Sequence, residues 1–179
     1  SAGTATYPNT SNTVSNSNLL NWFYSGGSVH GAIQLGTAST AWTITGNSFY
    51  QTATRSYSNT TTAVISVIYI SNTTAGGGFT ITNNYIGGTA PNCGGTSMTL
   101  QPTASNNTPT YRLLYISYSG GTSVTNITGN TFSNMALSSA TASTAVSLIS
   151  HLNGAVNISN NTIGSQSTTN NITYTNTGT

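Results

Sequence analysis

Acidic side chains are missing from this chain. Its 179 residues include no aspartate or glutamate, and Arg55 and Arg112 are its only basic residues apart from two histidines. A typical globular domain is charged at about one residue in four. Glycan hydrolysis by general acid–base catalysis needs two carboxylates, and a tight calcium site needs several oxygen ligands including carboxylates. The two isolated arginines also form no basic patch for nucleic acid or anionic lipid.

Cysteine and histidine are nearly as scarce. The single cysteine, Cys93, excludes an intrachain disulfide and a cysteine-rich zinc site. His30 and His151 fall at different points of the repeat described below, so they are not expected to share a face and are interpreted as turn or surface residues. Nucleophilic catalysis needs a Ser or Cys beside a base that a third group orients. We therefore predict no catalytic, cofactor-binding or metal-ligating residue, and a protein that is not an enzyme.

Long hydrophobic runs are also absent. The longest apolar stretch, residues 63–70, is interrupted by Ser66 and is far shorter than the roughly 20 residues of a membrane helix. Residues 1–4 lack the basic and apolar regions of a signal peptide. The sequence thus predicts no membrane insertion. If the protein is exported, its signal has been removed or belongs to a larger precursor.

What the chain does contain is a motif that returns at intervals of 31 to 46 residues, within the range typical of repeat architectures. Its four full copies are Trp42–Phe49, Phe79–Ile86, Thr125–Phe132 and Val156–Ile163, and a truncated copy is assigned to Asn12–Asn16. Aligned on one asparagine, the copies have the anchors Asn12, Asn47, Asn84, Asn130 and Asn161.

Apolar and polar residues alternate within each copy, which is the period of a strand with one buried face. The predicted inward row consists of Ile44, Ile81, Ile127 and Ile158. A second strand is predicted before each full copy, and the segments after the anchors vary in length as loops on one side of a repeat stack do. The chain is therefore predicted to be all-β: one domain over residues 1–179, a parallel β-helix (β-solenoid) of about five coils spaced about 4.8 Å apart.

The anchor asparagines have a physical reason to recur. Asparagine tolerates the left-handed backbone conformation of a tight corner, and stacked amides can hydrogen-bond between neighbouring coils. Gly46 and Gly129 precede two anchors, where Asn83 and Asn160 stand in other copies, and glycine and asparagine share that tolerance. We therefore predict a structural ladder through the five anchors.

The pattern Ile-Thr-Gly-Asn-Ser/Thr-Phe resembles the repeats of pectate-lyase-like parallel β-helix proteins. Residues 47–55 and 86–95 are similar to stretches of large secreted β-helix repeat proteins of Bacteroidetes-type bacteria. The resemblance covers most of the chain. It implies a right-handed β-helix, export to the cell surface or medium, and a chain that is often one segment of a longer protein. The carboxylates, calcium and basic residue of enzymatic relatives are not carried over, because the acids are missing.

The predicted function is structural: a subunit or segment of an extracellular filament, assembled by head-to-tail stacking of β-helix ends that no charge or helix protects. Segment 171–175 is a further strand and leaves such an end. One alternative is a glycan-binding adhesin module with Trp42, Tyr57 and Tyr118 as sugar platforms. Another is an ice-binding face made of outward threonine ranks. The many Ser and Thr hydroxyls could also carry O-linked glycans, which would supply solubility that charge does not.

Overall fold

The computed structural model describes residues 9–24, 29–58, 63–73, 76–103, 109–141, 145–165 and 171–177. These residues form strands and connecting turns, and none of them is helical. Every pairing between the strands is parallel; an isolated bridge between Ala90 and Gly94 is antiparallel. The prediction of an all-β chain with parallel pairing is therefore confirmed.

The strands of the described residues are, in chain order, β1 (Asn9–Thr10), β2 (Thr13–Ser15), β3 (Asn18–Leu20), β4 (Val29–His30), β5 (Ile33–Leu35), β6 (Ser39–Thr40), β7 (Thr43–Thr45), β8 (Ser48–Tyr50), β9 (Arg55–Tyr57), β10 (Ala63–Ile65), β11 (Ile68–Asn72), β12 (Thr80–Thr82), β13 (Tyr85–Ile86), β14 (Met98–Pro102), β15 (Pro109–Tyr118), β16 (Thr125–Thr128), β17 (Thr131–Phe132), β18 (Met135–Ser139), β19 (Val146–Asn153), β20 (Val156–Ser159), β21 (Thr162–Ile163) and β22 (Ile172–Asn176).

Four sheets collect strands that are far apart in the chain. Sheet 1 has the order β2-β7-β12-β16-β20, and sheet 2 has the order β3-β8-β13-β17-β21. Sheet 3 has the order β9-β14-β18-β22, and sheet 4 contains β4, β5, β10, β11, β15 and β19. Strands β1 and β6 pair separately. From β7 to β19 the chain visits sheets 1, 2, 3 and 4 in turn and returns each time to sheet 1, one strand further along. Among the described residues, the first passage goes from sheet 2 directly to sheet 4, and the last passage ends with β22 in sheet 3. Each such passage is called a repeat below, and repeats 1 to 5 begin with β2, β7, β12, β16 and β20.

The corner between sheets 1 and 2 is two residues long, and its first residue is always left-handed. Its φ angles are 48° at Asn16, 65° at Gly46, 56° at Asn83, 67° at Gly129 and 55° at Asn160. Glycine and asparagine are the residues that adopt this conformation at low cost, which explains why they alternate here. At the anchors Asn47, Asn84, Asn130 and Asn161 the left-handed residue is the one before the anchor. The anchor asparagines therefore do not recur because they adopt the left-handed conformation themselves.

The interior is filled by rows of apolar side chains that stack in register. Ile44, Ile81 and Ile127 are aligned across sheet 1 and are fully buried. A parallel row on sheet 2 contains the fully buried side chains of Phe49, Ile86 and Phe132. Burying one such side chain stabilises the fold by roughly 1.5–3 kcal/mol, so these rows dominate the stability of the stack.

The last member of the predicted isoleucine row differs from the others. Ile158 pairs in register with Ile127, yet 46% of its surface is exposed. Ile163 continues the sheet 2 row from Phe132 and is 61% exposed. Both side chains point along the rows of the interior, but no strand of the described residues lies beyond β20 and β21. Repeat 5 is therefore an open end of the stack.

Candidate functional site

A ladder of asparagine amides runs through the corner between sheets 1 and 2. The side-chain oxygen of Asn84 accepts hydrogen bonds from both the backbone N–H and the side-chain Nδ2 of Asn47, each at 3.0 Å. Asn130 accepts the same pair from Asn84 at 3.0 and 2.9 Å, and Asn161 accepts the same pair from Asn130 at 2.9 Å. Each amide therefore acts as the acceptor for the rung before it.

The second hydrogen of each Nδ2 group points back toward the preceding repeat. Asn84 Nδ2 donates to the carbonyl of Ile44 at 2.8 Å, and Asn130 Nδ2 donates to the carbonyl of Ile81 at 2.8 Å. The Asn47, Asn84 and Asn130 residues are fully buried. A buried polar group is tolerated only when its hydrogen bonds are made, and these amides satisfy one another and the backbone.

Asn12 is not a rung of this ladder, so that part of the prediction is wrong. The register of sheet 1 sets Thr13 beside Thr43 and Val14 beside Ile44. The residue in line with Asn47 is consequently Ser17, whose backbone N–H donates to Asn47 Oδ1 at 3.0 Å. Asn12 instead bonds Asn9 Oδ1 through its own side chain. The sequence misleads here because Asn12 and Asn16 both flank a short Thr-Val-Ser strand, whereas the position in line with the other anchors holds a serine.

The last rung ends with donors that have no acceptor among the described residues. Asn161 Nδ2 donates to the Ile127 carbonyl at 2.8 Å, as the other rungs do to theirs. Its backbone N–H and its other Nδ2 hydrogen correspond to the two donors that Asn130 gives to Asn161. No described group accepts a hydrogen bond from them. Together with the exposed side chains of Ile158 and Ile163, these donors form what we call the open end.

The outer face of sheet 1 carries two ranks of hydroxyl and amide side chains in register. One rank is Thr13, Thr43, Thr80, Asn126 and Asn157, and the other is Ser15, Thr45, Thr82, Thr128 and Ser159. All are at least partly exposed. Thr82 Oγ1 donates to Thr45 Oγ1 at 2.9 Å, so neighbouring hydroxyls are ordered by one another. The ranks predicted from sequence are therefore present side by side on one face of sheet 1.

Two of the three aromatic residues predicted as sugar platforms are buried. Tyr57 and Tyr118 belong to the core, and Trp42 is half-buried with its indole N–H donating to the Asn9 carbonyl at 3.0 Å. The sequence could not distinguish an inward from an outward tyrosine in these loosely patterned segments. The adhesin alternative thus loses two of its named contact residues.

Tyr57 forms a buried pair with Tyr111 between sheets 3 and 4. The two hydroxyl oxygens are 2.8 Å apart, and they lie 2.8 and 2.7 Å from the Ser138 carbonyl oxygen. Burial raises the pKa of Tyr57 to about 12 and also raises the pKa of Tyr111. The pair therefore stays neutral and serves as an internal polar contact.

The remaining candidate residues occupy structural positions. The guanidinium of Arg112 lies 5.4 Å from the centre of the Tyr115 ring, as a cation stacked on an aromatic side chain. Arg55 donates to Gln51 Oε1 at 2.8 Å and to Asn21 Oδ1 at 2.5 Å. Cys93 is buried, and burial raises the pKa of its thiol, which keeps it protonated and unreactive. His151 is exposed and contacts the Gly154 carbonyl, and the side chain of His30 lies outside the described residues.

One cavity was not anticipated from the sequence. It has a volume of about 340 Å³ and is lined by Trp22, Phe23, Tyr24, Val29, Gly31 and Gln34. Residues 25–28, which connect two of its lining segments, lie outside the described residues. Within the described parts of the chain, no three His, Cys, Asp or Glu side chains cluster as metal ligands would, and no helix suited to crossing a membrane occurs.

Comparison of the chain with protein families, with curated proteins and with solved structures gives no match. The function must therefore be inferred from the geometry of the chain itself.

Proposed function

We propose that the chain is a right-handed parallel β-helix of five coils that acts as a non-catalytic, extracellular structural subunit. In this proposal, copies assemble into a filament by stacking the open end of one copy on the first repeat of the next. The location outside the cell rests on the resemblance to exported repeat proteins, whereas the stacking rests on the geometry of repeats 1 and 5.

The observation that carries the proposal is the contrast along the interior rows. Ile127 and Phe132 are fully buried because a further repeat covers them, whereas Ile158 and Ile163 are 46% and 61% exposed in the next repeat. Exposed apolar side chains beside unpaired strand edges are a template for a further strand. A further repeat of the same kind has the surface that would cover Ile158 and Ile163, because each earlier isoleucine or phenylalanine of these rows is covered by the repeat that follows it.

Charge does not oppose this assembly. Strands β2, β3, β20 and β21 contain no ionisable side chain, so two copies bring no like charges together at these strands. Natural sheet edges are usually protected by lysine or another inward charge, and that protection is missing here. An interface that joins one end to the other end is heterologous, and such an interface produces an open filament when the rotation between copies does not close a ring.

Sedimentation velocity and negative-stain electron microscopy over a range of protein concentrations test the proposal. We expect assemblies that lengthen with concentration, and we expect Ile163→Lys to prevent them because it places an ammonium group on the open end. Thr162→Lys is the matched control, since Thr162 lies outward on the same strand and is already exposed. A wild-type chain that stays monomeric at all concentrations would contradict the proposal, as would equal effects of the two lysines.

The outer face of sheet 1 favours ice binding as a second candidate. Its two ranks repeat about every 4.8 Å from strand to strand, and they are about 6.6 Å apart along each strand. Apart from Asn126 and Asn157, the two ranks consist of uncharged hydroxyl side chains, and a regular array of such groups can order water molecules into a lattice. Thermal hysteresis measurements would test this candidate: Thr45→Lys should abolish any activity, and Thr99→Lys on sheet 3 should not. Wild-type protein without hysteresis would remove the candidate.

A further inference from the structure

The asparagine ladder has a direction, and this direction specifies how two copies must meet. Each rung receives hydrogen bonds on its Oδ1 from the rung before it, and each gives its own N–H and Nδ2–H to the rung after it. The open end therefore presents donors at Asn161. A partner that continues the ladder has to present an acceptor at the corresponding position.

The first repeat of the chain has a serine at that position. Ser17 is exposed, and its backbone N–H donates to Asn47 Oδ1 at 3.0 Å, as a rung should. Its hydroxyl donates to the Ser15 carbonyl at 2.8 Å, which leaves the oxygen lone pairs able to accept. The serine side chain is shorter than asparagine, however, and it has no amide to donate back to the preceding repeat.

We propose that a second copy of the chain docks on the open end with β2 on β20 and β3 on β21, in the register used between repeats, so that its Ser17 faces Asn161. This inference rests on the proposed function and specifies its interface. Val14 of the incoming copy then covers Ile158, and Leu19 covers Ile163. These four residues are the terminal members of the two interior rows, and Val14 and Leu19 are themselves only half-buried.

The same register makes the joint weaker than the contact between two repeats of one chain. An asparagine at position 17 would accept two hydrogen bonds across the joint and donate one. Ser17 lacks the amide group that makes them. The corner residues are mismatched as well. The side chain of Asn16 lies against Gly46 of the next repeat, and that of Asn83 lies against Gly129. A Cβ at either glycine would overlap the Oδ1 atom of the asparagine. At the joint, Asn160 meets Asn16 instead of a glycine, so its side chain has to turn aside.

Two substitutions that repair the joint test the inference. Ser17→Asn restores the rung, and about two added net hydrogen bonds should lower the concentration of half-assembly by about tenfold or more. Asn16→Gly restores the alternation of asparagine and glycine at the corner and should lower it as well. Ser17→Lys should raise it strongly or abolish assembly. Thr99→Asn, which adds an amide on the outside of sheet 3, is the control and should change nothing.

Sedimentation velocity of these variants separates the two proposals, and thermal unfolding of dilute samples checks that each one is folded. If the wild type assembles and neither Ser17 nor Asn16 variant alters its half-assembly concentration, this register is wrong although the stacking stands. If Ser17→Asn assembles where the wild type does not, the register is supported, whereas the proposed assembly of the unmodified chain is contradicted. If the wild type and both repaired variants stay monomeric at every concentration, both proposals fail.

Discussion

Ile127 and Ile158 are the same residue at the same position of neighbouring repeats, paired in register on adjacent strands. Asn130 and Asn161 likewise occupy the same position of repeats 4 and 5, at the corner between sheets 1 and 2. In repeat 4 the isoleucine is fully buried and the asparagine gives hydrogen bonds on both sides; in repeat 5 the isoleucine is half exposed and the asparagine gives bonds on one side only. The local sequence of a repeat thus sets which groups face inward, while the neighbouring repeat sets how much each group contributes to stability.

The largest effect is expected from the ladder. Asn84→Ala removes four hydrogen bonds, and it leaves the buried backbone N–H of Asn47 and one of its two Nδ2 hydrogens without an acceptor. Unsatisfied buried groups cost about 1–3 kcal/mol each, so we expect a loss of about 4 kcal/mol in the free energy of unfolding, measured with urea. Asn157→Ala on the outer face is the control and should cost less than about 0.5 kcal/mol. Similar losses at both positions would contradict the structural role of the ladder.

Truncation of the isoleucine row compares the two regions directly. Ile127→Ala creates a cavity between covered repeats and should cost about 3 kcal/mol, within the range of buried isoleucine-to-alanine changes. Ile158→Ala should cost only about 1 kcal/mol when measured by urea unfolding of the dilute monomer, because its side chain is already half exposed. If stacking occurs, the cost at Ile158 should rise toward that at Ile127 as the protein concentration is raised.

Alanine at two left-handed glycines gives a smaller contrast. At Gly129, with φ 67°, a Cβ would overlap Asn83 Oδ1, whereas at Gly164, with φ 76°, it would have open space. We expect a loss of about 2 kcal/mol for Gly129→Ala and about 1 kcal/mol for Gly164→Ala, the latter being the strain of the left-handed backbone alone. Thermal or urea unfolding measures both. Adding Asn83→Gly should recover part of the first loss and none of the second.

The buried tyrosine pair predicts a loss of stability in alkali. The pKa of Tyr57 is raised by burial from 10.0 to about 12. Between these values the unfolded chain releases the phenol proton and the folded chain keeps it, so the stability is complete below pH 10 and is lost as the pH rises toward 12. At pH 11 the loss from Tyr57 is about 1.4 kcal/mol. Unfolding measured from pH 9 to 11.5 should show it, and Tyr57→Phe should have a flatter profile.

Much of the architecture could be predicted from residue patterns. The alternation around Ile44, Ile81 and Ile127 predicted strands with one buried face, and the recurring anchor asparagines, each preceded by Gly or Asn, located the corners. The register of the truncated first copy could not be predicted, because a single Thr-Val-Ser strand flanked by two asparagines contains too little information to set it, and the anchor position lies at Ser17, five residues after Asn12. Its register is decided by pairing with β7, which buries Val14 against Ile44 rather than exposing it.

The candidate site was only partly predictable, for the same reason. The threonine ranks could be predicted because outward residues follow the strand period directly. The burial of Tyr57 and Tyr118 could not, because their segments have no clear alternation and their environment comes from strands far along the chain. The aromatic cavity depends likewise on residues 22–24 and 29–34 meeting in space.

By itself the sequence determined the recurring motif, the inward direction of its isoleucines and the lack of aspartate and glutamate, since these depend on side-chain type and on a period of two. The tertiary structure decided which repeat covers which. It made Ser17 rather than Asn12 the first residue of the ladder, and it left Ile158, Ile163 and the donors of Asn161 uncovered. The physical reason is that burial and hydrogen-bond satisfaction are properties of a pair of neighbouring repeats, which no single repeat contains.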